Sequence, residues 1–339
     1  MSSLSIYSLV FKAQKYIRRN LKLIYLKNLS ISFRKLRFKN TFVYCSTDEL
    51  LELNNYKSRI NHYRNVFKVN NSILNTKSGV VWFKNKIVEE SSVWSISDLI
   101  IWEPKPILKK KLSGKFNNLP DNGFYHFVIE DLPRFLDTTD LNISLTTIYG
   151  SKSRYILDTF KILENKKTAY FNYPVLCEEL VISEKSSGGI FTHSDRSKLL
   201  NFSEKIKPKL AFRNILISRK NRLKDVEGRG INYIDETELL FARNSFDVVF
   251  FEELSLMDQI SIVKNAQVIA GFHGAGLANI VWSKHKCKVI EISESRITSH
   301  FEHLASICKH EYRFVKASEL VNYSKDEFKS LIKSSFTYE

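Results

Sequence analysis

Two short stretches of this sequence carry side chains whose types and spacing could do chemistry. In the first, Tyr125-His126-Phe-Val-Ile-Glu130-Asp131, an imidazole and a carboxylate stand four residues apart. On a helix that spacing puts both on one face. Such a pair can deprotonate a hydroxyl, one group taking the proton while the other tunes or orients it. Glu130 and His126 are both candidates for the acceptor, and a histidine has the better unperturbed pKa for the task. On spacing alone the plainer reading, a surface His–Glu pair worth about 0.2–0.5 kcal/mol, is the better one. The second stretch is Val268-Ile-Ala-Gly271-Phe-His273-Gly274-Ala275-Gly276-Leu-Ala-Asn279. An apolar run breaks at glycines around one histidine and re-enters as an apolar segment too long for a turn. A strand feeding a helix in this way aims the free N–H groups of Gly274, Ala275 and Gly276, and the helix dipole, at whatever sits above the sheet edge, and those groups attract phosphate. Glycine lets the backbone approach an anion closely, and His273 can donate to a phosphate oxygen or a sugar hydroxyl. A strand-to-helix turn without a ligand has the same features. The glycines are not spaced as G-x-G-x-x-G, which counts against a nicotinamide-dependent dehydrogenase.

The elements that must hold these residues read as α/β. From 144 onward a strand (Ser144–Tyr149), a helix (Arg154–Leu163) and a strand (Thr168–Phe171) alternate. Asn214-Ile-Leu-Ile-Ser218-Arg219 reads as a strand ending in a basic turn. Asp235-Glu-Thr-Glu238 reads as a capping box opening a helix to about Arg243, and Phe246–Phe251 as a strand. Ser255 caps a helix with Leu256, Ile260 and Val263 on one face, and the glycine turn and the strand Lys288–Ile292 follow. Successive β-α units of this kind describe a doubly wound, Rossmann-like half, in which ligands bind at the carboxyl ends of strands. Arg219, the 271–276 turn and Glu291 all sit at such ends. Arg219 would supply cationic charge for a diphosphate, and Glu291 would accept hydrogen bonds from ribose hydroxyls. A solvated turn and a sheet-edge carboxylate are the plainer readings of those two.

Upstream, short β-type runs (Thr41–Tyr44, Val66–Val69, Gly79–Phe83, Asp98–Trp102) precede a lysine cluster at 109–111 that reads as a solvated loop. Asp121 or Asn122 is the expected cap of a helix from about Phe124, and Pro133 should kink or end it. His300 and His303 lack a third partner for a metal and read as a helix surface. The loop around Ser186-Ser-Gly-Gly189 is the expected domain boundary. The domains expected are a leader (1–40), an N-terminal acceptor-side α/β domain (41–185), a C-terminal nucleotide-sugar-binding domain (186–320) and a terminal helix (321–339).

At 339 residues and 43% apolar content the chain can build two cores, and no apolar run is long enough to span a bilayer. The opening residues lack the basic n-region and apolar core of a signal peptide. Four scattered cysteines without a C-x-x-C pair suit reduced thiols in a cytoplasmic protein. The net charge of +16 is concentrated at the start: residues 1–40 carry Lys12, Lys15, Arg18, Arg19, Lys22, Lys27, Arg34, Lys35, Arg37 and Lys39, with apolar residues interleaved and no acid. That pattern suits an anionic membrane surface better than nucleic acid, which is not an expected partner; a solvated leader is the other reading.

The stretch Gly271-Phe-His-Gly-Ala-Gly-Leu-Ala-Asn279, followed by the strand that ends at Glu291, resembles the signature of glycosyltransferase family 61. Tyr125-His126 followed by Glu130, and Ile217-Ser218-Arg219, are similar to two further motifs of that family, in the expected order. Many members read Asn-Glu-x-Glu where this chain has Asp235-Glu236-Thr-Glu238, which leaves position 235 as a cap. The resemblance implies a GT-B-like α/β fold of two Rossmann-like domains facing a cleft. It implies an inverting glycosyltransferase of bacterial surface polysaccharide synthesis, capsule or lipopolysaccharide, working on the inner face of the plasma membrane. Its partners would be a nucleotide-sugar donor and a glycan or glycolipid acceptor, with Glu130 and His126 catalytic. The donor would be held by Arg219, His273, Gly274, Ala275, Gly276, Asn279 and Glu291. No Asp-x-Asp motif is present for a metal-bound diphosphate, so fixed donors would replace the cation, and no cofactor or metal is expected. The alternative is a non-catalytic nucleotide- or polyanion-binding α/β module at the membrane surface.

Overall fold

The structure is a computed structural model and describes residues 51–55, 65–83, 86–88, 91, 109–150, 153–164, 167–184, 191–207, 213–219, 233–296 and 298–333. The basic leader, the runs at 41–44 and 98–102, the 186–189 loop and Arg229 lie outside these residues. The chain divides into two compact units, residues 1–153 with 165–190, and residues 154–164 with 191–339.

The first unit is built on one mixed sheet. Its strands are β1 (Leu51–Asn55), β2 (Asn65–Leu74), β3 (Val81–Phe83), β4 (Lys86–Val88), β5 (Lys110–Leu119), β6 (Leu145–Tyr149), β7 (Thr168–Phe171) and β8 (Val175–Ser183). The order is β4-β3-β2-β8-β5-β6-β7, with β1 on β2. Pairs β8–β5, β5–β6 and β6–β7 are parallel, whereas β8–β2, β2–β3, β3–β4 and β1–β2 are antiparallel. This unit is therefore α/β in character but not the doubly wound, Rossmann-like half expected. The 109–111 lysines are also not a loop. Lys110 and Lys111 open β5, an interior strand; their side chains are exposed at its start, while Phe116, Asn117 and Leu119 are buried further along. A strand read from its first residues looks like a solvated loop when only its far half enters the core.

Between β5 and β6 runs α1, a composite helix of Phe124–His126, a π-helical turn at Phe127–Asp131 and an α-helical end at Leu132–Leu136. Its N-cap is Gly123, at φ 95, where glycine is favoured, and neither Asp121 nor Asn122 caps it. Asp121 instead accepts from the Ser153 hydroxyl, and Asn122 donates to Asp131. Pro133 does not end the helix. Proline has no N–H to give, and its ring crowds the carbonyl four residues back. The widened turn immediately before it is where the helix absorbs that mismatch.

The second unit is a five-stranded, wholly parallel sheet of β9 (Asn214–Ile217), β10 (Asp247–Val249), β11 (Val268–Phe272), β12 (Lys288–Ser293) and β13 (Glu311–Lys316), in the order β10-β9-β11-β12-β13. Counted from β9 that order is 2-1-3-4-5, a doubly wound arrangement whose direction of growth reverses between β9 and β11. Ile269, Ala270, Val289, Ile290 and Ile292 are all fully buried, as strands covered on both faces require. The helices are α2 (Arg154–Ile162), α3 (His193–Glu204), α4 (Ile234–Arg243), α5 (Leu256–Val263), α6 (His300–Ile307), α7 (Ala317–Leu320) and α8 (Lys325–Lys333). Asp235 lies inside the first turn of α4 and is not its cap, which is Tyr233. Ser255 does cap α5, its hydroxyl accepting from the Asp258 N–H.

Two segments belong to this unit rather than where the sequence put them. Helix α2 joins it because its buried Asp158 accepts the N–H of Leu256 at the start of α5, and Arg154 donates to the Glu253 carbonyl. Helix α8 is not a separate tail: Phe328 stacks edge-on against Phe241 at 4.9 Å, and Phe246 meets Phe241 at 4.8 Å, inside the same core. Among the described residues no helix is long and apolar enough to cross a membrane.

Candidate active site

In the first unit the sequence-predicted pair is formed. His126 Nδ1 lies 3.0 Å from Glu130 Oε2. The two side chains are 33% and 14% exposed, so the pair is reachable from solvent while Phe127, Val128, Ile129 and Leu132 of the same helix are buried. The hydrogen bond to Glu130 raises the His126 pKa above its ordinary value, against the pull of burial. The two side chains share one hydrogen bond, and a proton leaving a hydroxyl can end on either member. Tyr125, edge-on to His126 at 5.5 Å, is pushed up to about 12 by burial and by Glu130. It is a neutral hydrogen-bonding group at any working pH.

Behind this pair stands a residue that the sequence did not single out. Asp131 is 2% exposed, its Oδ2 accepts from Asn122 at 3.0 Å, and its Oδ1 has no hydrogen-bond partner. Burial pushes its pKa up to about 7, with Arg134 pulling the other way. Arg134 donates twice to the Ser183 carbonyl, at 3.1 and 2.9 Å. Both line a cavity of about 40 Å³, large enough to admit water. Glu130 and Asp131 are adjacent in sequence, and the widened turn decides which of the two faces inward.

In the second unit, Arg219 and His273 meet at the reversal between β9 and β11. The Arg219 guanidinium donates to the His273 carbonyl. A Cβ built on Gly274 would lie 1.6 Å from Arg219 Nη2. Gly274 therefore serves to seat the arginine rather than to bring the main chain against an anion. Its φ of 161 is extended backbone open to any residue, so the requirement is space alone. The other two glycines are packing positions. A Cβ on Gly271 would meet Leu277 at 3.0 Å and Ile217 at 3.2 Å, and one on Gly276 would meet Ile217 at 3.0 Å. Ala275 is exposed and Gly274 and Gly276 are half-buried. The segment that follows, Ala275–Trp282, is a 3-10 helix rather than the α-helix expected, with everything from Leu277 on buried. Its first N–H groups still lack intrahelical acceptors, beside the guanidinium.

Two residues expected to touch the donor do not face it. Asn279 is fully buried: its amide donates to Gln259 Oε1 at 3.1 Å and to the Gly276 carbonyl at 3.0 Å, and accepts from the Trp282 indole at 3.0 Å. It fixes the 3-10 segment from within. Glu291 is also fully buried, with Oε1 2.5 Å from His273 Nδ1 and Oε2 accepting from the Tyr312 hydroxyl at 2.6 Å. Neither oxygen is open to a ribose. Away from this site, His300 and His303 are exposed on α6, and no cluster of metal-ligating side chains occurs among the described residues.

Residues 124–290, from the start of α1 into β12, match the family model glycosyltransferase 61. Those residues carry a glycosyltransferase 61 domain. Over 125 residues it is 27% identical to the EGF domain-specific O-linked N-acetylglucosamine transferase of Drosophila melanogaster. That alignment takes in 35% of this chain and 22% of the relative, so the chain matches about a fifth of that protein's length. The glycosyltransferase 61 match contains His126, Glu130, Arg219, His273, Gly274, Ala275, Gly276 and Asn279, and stops one residue short of Glu291.

Two expectations follow from this geometry. Because a methyl at 274 displaces the guanidinium, Gly274→Ala should cost about 1.5–3 kcal/mol, the usual worth of a hydrogen bond to a charged group. In an Arg219→Ala background the same change should cost far less. Denaturant unfolding of the two single variants and the double variant measures this coupling, and additive costs would contradict the seating role. The second concerns Asp131. An acid whose folded pKa is raised binds a proton more tightly folded than unfolded. Its contribution to stability is therefore full below pH 3.8 and is lost as pH rises through about 7. Asp131→Asn should flatten that decline; unfolding curves with the same pH slope as the parent protein would refute it.

Proposed function

We propose that the chain is an inverting glycosyltransferase that holds the donor diphosphate with side-chain and main-chain donors instead of a metal ion. The observation that carries this reading is the Arg219 guanidinium seated on Gly274, against the His273 carbonyl, where the parallel sheet reverses. Doubly wound sheets bind their ligands at that point. Fixed positive charge there would stabilise the negative charge that builds on the leaving nucleoside diphosphate. The family match supports a nucleotide-sugar donor and a glycan acceptor.

In the proposed reaction the acceptor hydroxyl oxygen bonds to the anomeric carbon as the bond from that carbon to the diphosphate oxygen breaks. The electron pair leaves with the diphosphate, and the hydroxyl proton passes to the His126–Glu130 pair. Arg219, His273 and the first N–H groups of the 3-10 segment bear on the departing phosphates, whereas Glu291 and Asn279 act from behind. The acceptor is proposed to be a glycan or glycolipid of bacterial surface polysaccharide, the setting implied by the family resemblance. The basic leader supports a site of action at the inner, anionic face of a membrane.

A melting-temperature panel of UDP, GDP, CMP and their sugars, with NAD and an oligonucleotide as controls, tests the donor. Stabilisation by one nucleotide class is expected. With that donor, Glu130→Gln should lower kcat by about 100-fold or more, the usual contribution of a positioned acid or base. Unchanged turnover would remove Glu130 from the chemistry, and nucleotide binding without any transfer would favour a non-catalytic binding module. For the leader, a chain beginning near residue 40 should lose sedimentation with phosphatidylserine vesicles; equal binding by both chains would refute membrane docking.

A further inference from the structure

The buried pairing behind His273 extends beyond the family match. His273 Nδ1 meets Glu291 Oε1 at 2.5 Å, and Glu291 Oε2 takes the Tyr312 hydroxyl at 2.6 Å. Glu291 is fully buried, Tyr312 is 6% exposed, and the His273 side chain retains 10% exposure. Phe301 of α6 lies edge-on to the imidazole at 5.3 Å and closes one side of the ring. The residue that follows β11 and one residue each of the adjacent strands β12 and β13 thus make a hydrogen-bonded row. A carboxylate without solvent is costly unless paired and hydrogen-bonded, and this one has a donor on each oxygen. The arrangement fixes the ring. With Nδ1 committed to Glu291, Nε2 is the only ring nitrogen left for a ligand, and the ring plane cannot turn without breaking that bond.

We propose that Glu291 and Tyr312 are positioning residues that orient His273 so that its Nε2–H is given to a phosphate oxygen of the bound nucleoside diphosphate. This rests on the donor-site reading above. In the complex the imidazole lies between two anions, the Glu291 carboxylate on Nδ1 and the phosphate on Nε2. Donating to both needs a proton on each ring nitrogen, and Arg219, bound to the His273 carbonyl, adds its charge. Tyr312 acts through Glu291: its hydroxyl holds the second oxygen and keeps the carboxylate from rotating away from the ring. Burial and the Glu291 carboxylate both raise the Tyr312 pKa, so it stays protonated and remains a donor.

The test uses the full-length chain labelled with 15N at histidine, with His273→Gln identifying the resonance. Without ligand, wild-type His273 should show a protonated Nδ1. On saturation with the nucleoside diphosphate that stabilises the protein, Nε2 should move to the protonated range. Tyr312→Phe and Glu291→Gln should each weaken binding of that nucleotide by about tenfold or more, the equivalent of one buried hydrogen bond. Tyr312→Phe should also broaden or shift the Nε2 resonance while the melting temperature still shows a cooperative fold. An unprotonated Nε2 in the complex, or wild-type affinity in both variants, overturns the inference and leaves the donor site standing. If no nucleoside diphosphate binds the wild-type chain, the donor-site reading fails and takes this inference with it.

Discussion

The second unit is organised around a cation held against a peptide group. The Arg219 guanidinium donates to the His273 carbonyl and occupies the space a side chain at 274 would need. A charge placed so close to the main chain is stable only if backbone and side chain are both fixed. β9 fixes one partner: it ends at Ile217, and the next residue, Ser218, anchors its hydroxyl on Glu238 of α4 at 2.5 Å. The neighbouring strand fixes the other, with the His273 N–H on the Ile292 carbonyl at 2.9 Å and its ring on Glu291. The positive charge is therefore preorganised. A diphosphate arriving there does not have to order a flexible arginine first, which removes about 2 kcal/mol of side-chain entropy from the cost of binding.

The first unit solves a different problem, that of holding a histidine–glutamate pair close to solvent on a helix whose other face is core. Regular α-helical geometry would carry Pro133 into a clash with the carbonyl of Ile129. The π-helical turn relieves it, and the same turn holds Glu130 beside His126 while Asp131 faces inward. Consecutive acids thereby acquire opposite environments. Glu130 is hydrogen-bonded to an imidazole near the surface, whereas Asp131 is desolvated and held well above the ordinary aspartate range. Strongly perturbed acids cluster at functional sites, and here one local distortion sets the perturbed Asp131 beside the His126–Glu130 pair.

Much of this was legible in the sequence. The helical spacing of His126 and Glu130, the Ser255 cap, the strands at 214, 268 and 288 and the break at 271–276 all follow from periodicity and turn chemistry, and each is present. What the sequence could not give was direction. In a parallel sheet covered on both faces, the alternation that marks inward and outward positions is absent. Glu291 at a strand end therefore reads the same whether it faces a ligand or the core. Asn279 misleads for a similar reason, since its polarity is used to satisfy Gln259 and the Trp282 indole. Tyr312 carried no signal at all: in Glu311-Tyr-Arg-Phe-Val315 it looks like an ordinary strand residue. Strand β5 was hidden by its lysines, and β8, which joins the antiparallel and parallel parts of its sheet, had no motif to mark it.

The glycines show why pattern and mechanism must be separated. Three glycines in a strand-to-helix turn invite the view that each admits an anion, yet each has its own neighbour. Gly271 and Gly276 make room for Ile217 and Leu277, which fasten the turn to β9 and to its own following segment, and Gly274 makes room for Arg219. Any attraction of the turn for an anion would thus come less from bare main chain than from a side chain imported from the end of the neighbouring strand β9. That difference matters electrostatically. The free N–H groups at a helix end amount to about half a positive charge, and a 3-10 segment offers a shorter, poorer version of that. A guanidinium adds a full charge with directed donors. At an effective dielectric of about 20, a full charge about 4 Å from a phosphate is worth about 4 kcal/mol, so the arginine rather than the turn itself would dominate the attraction.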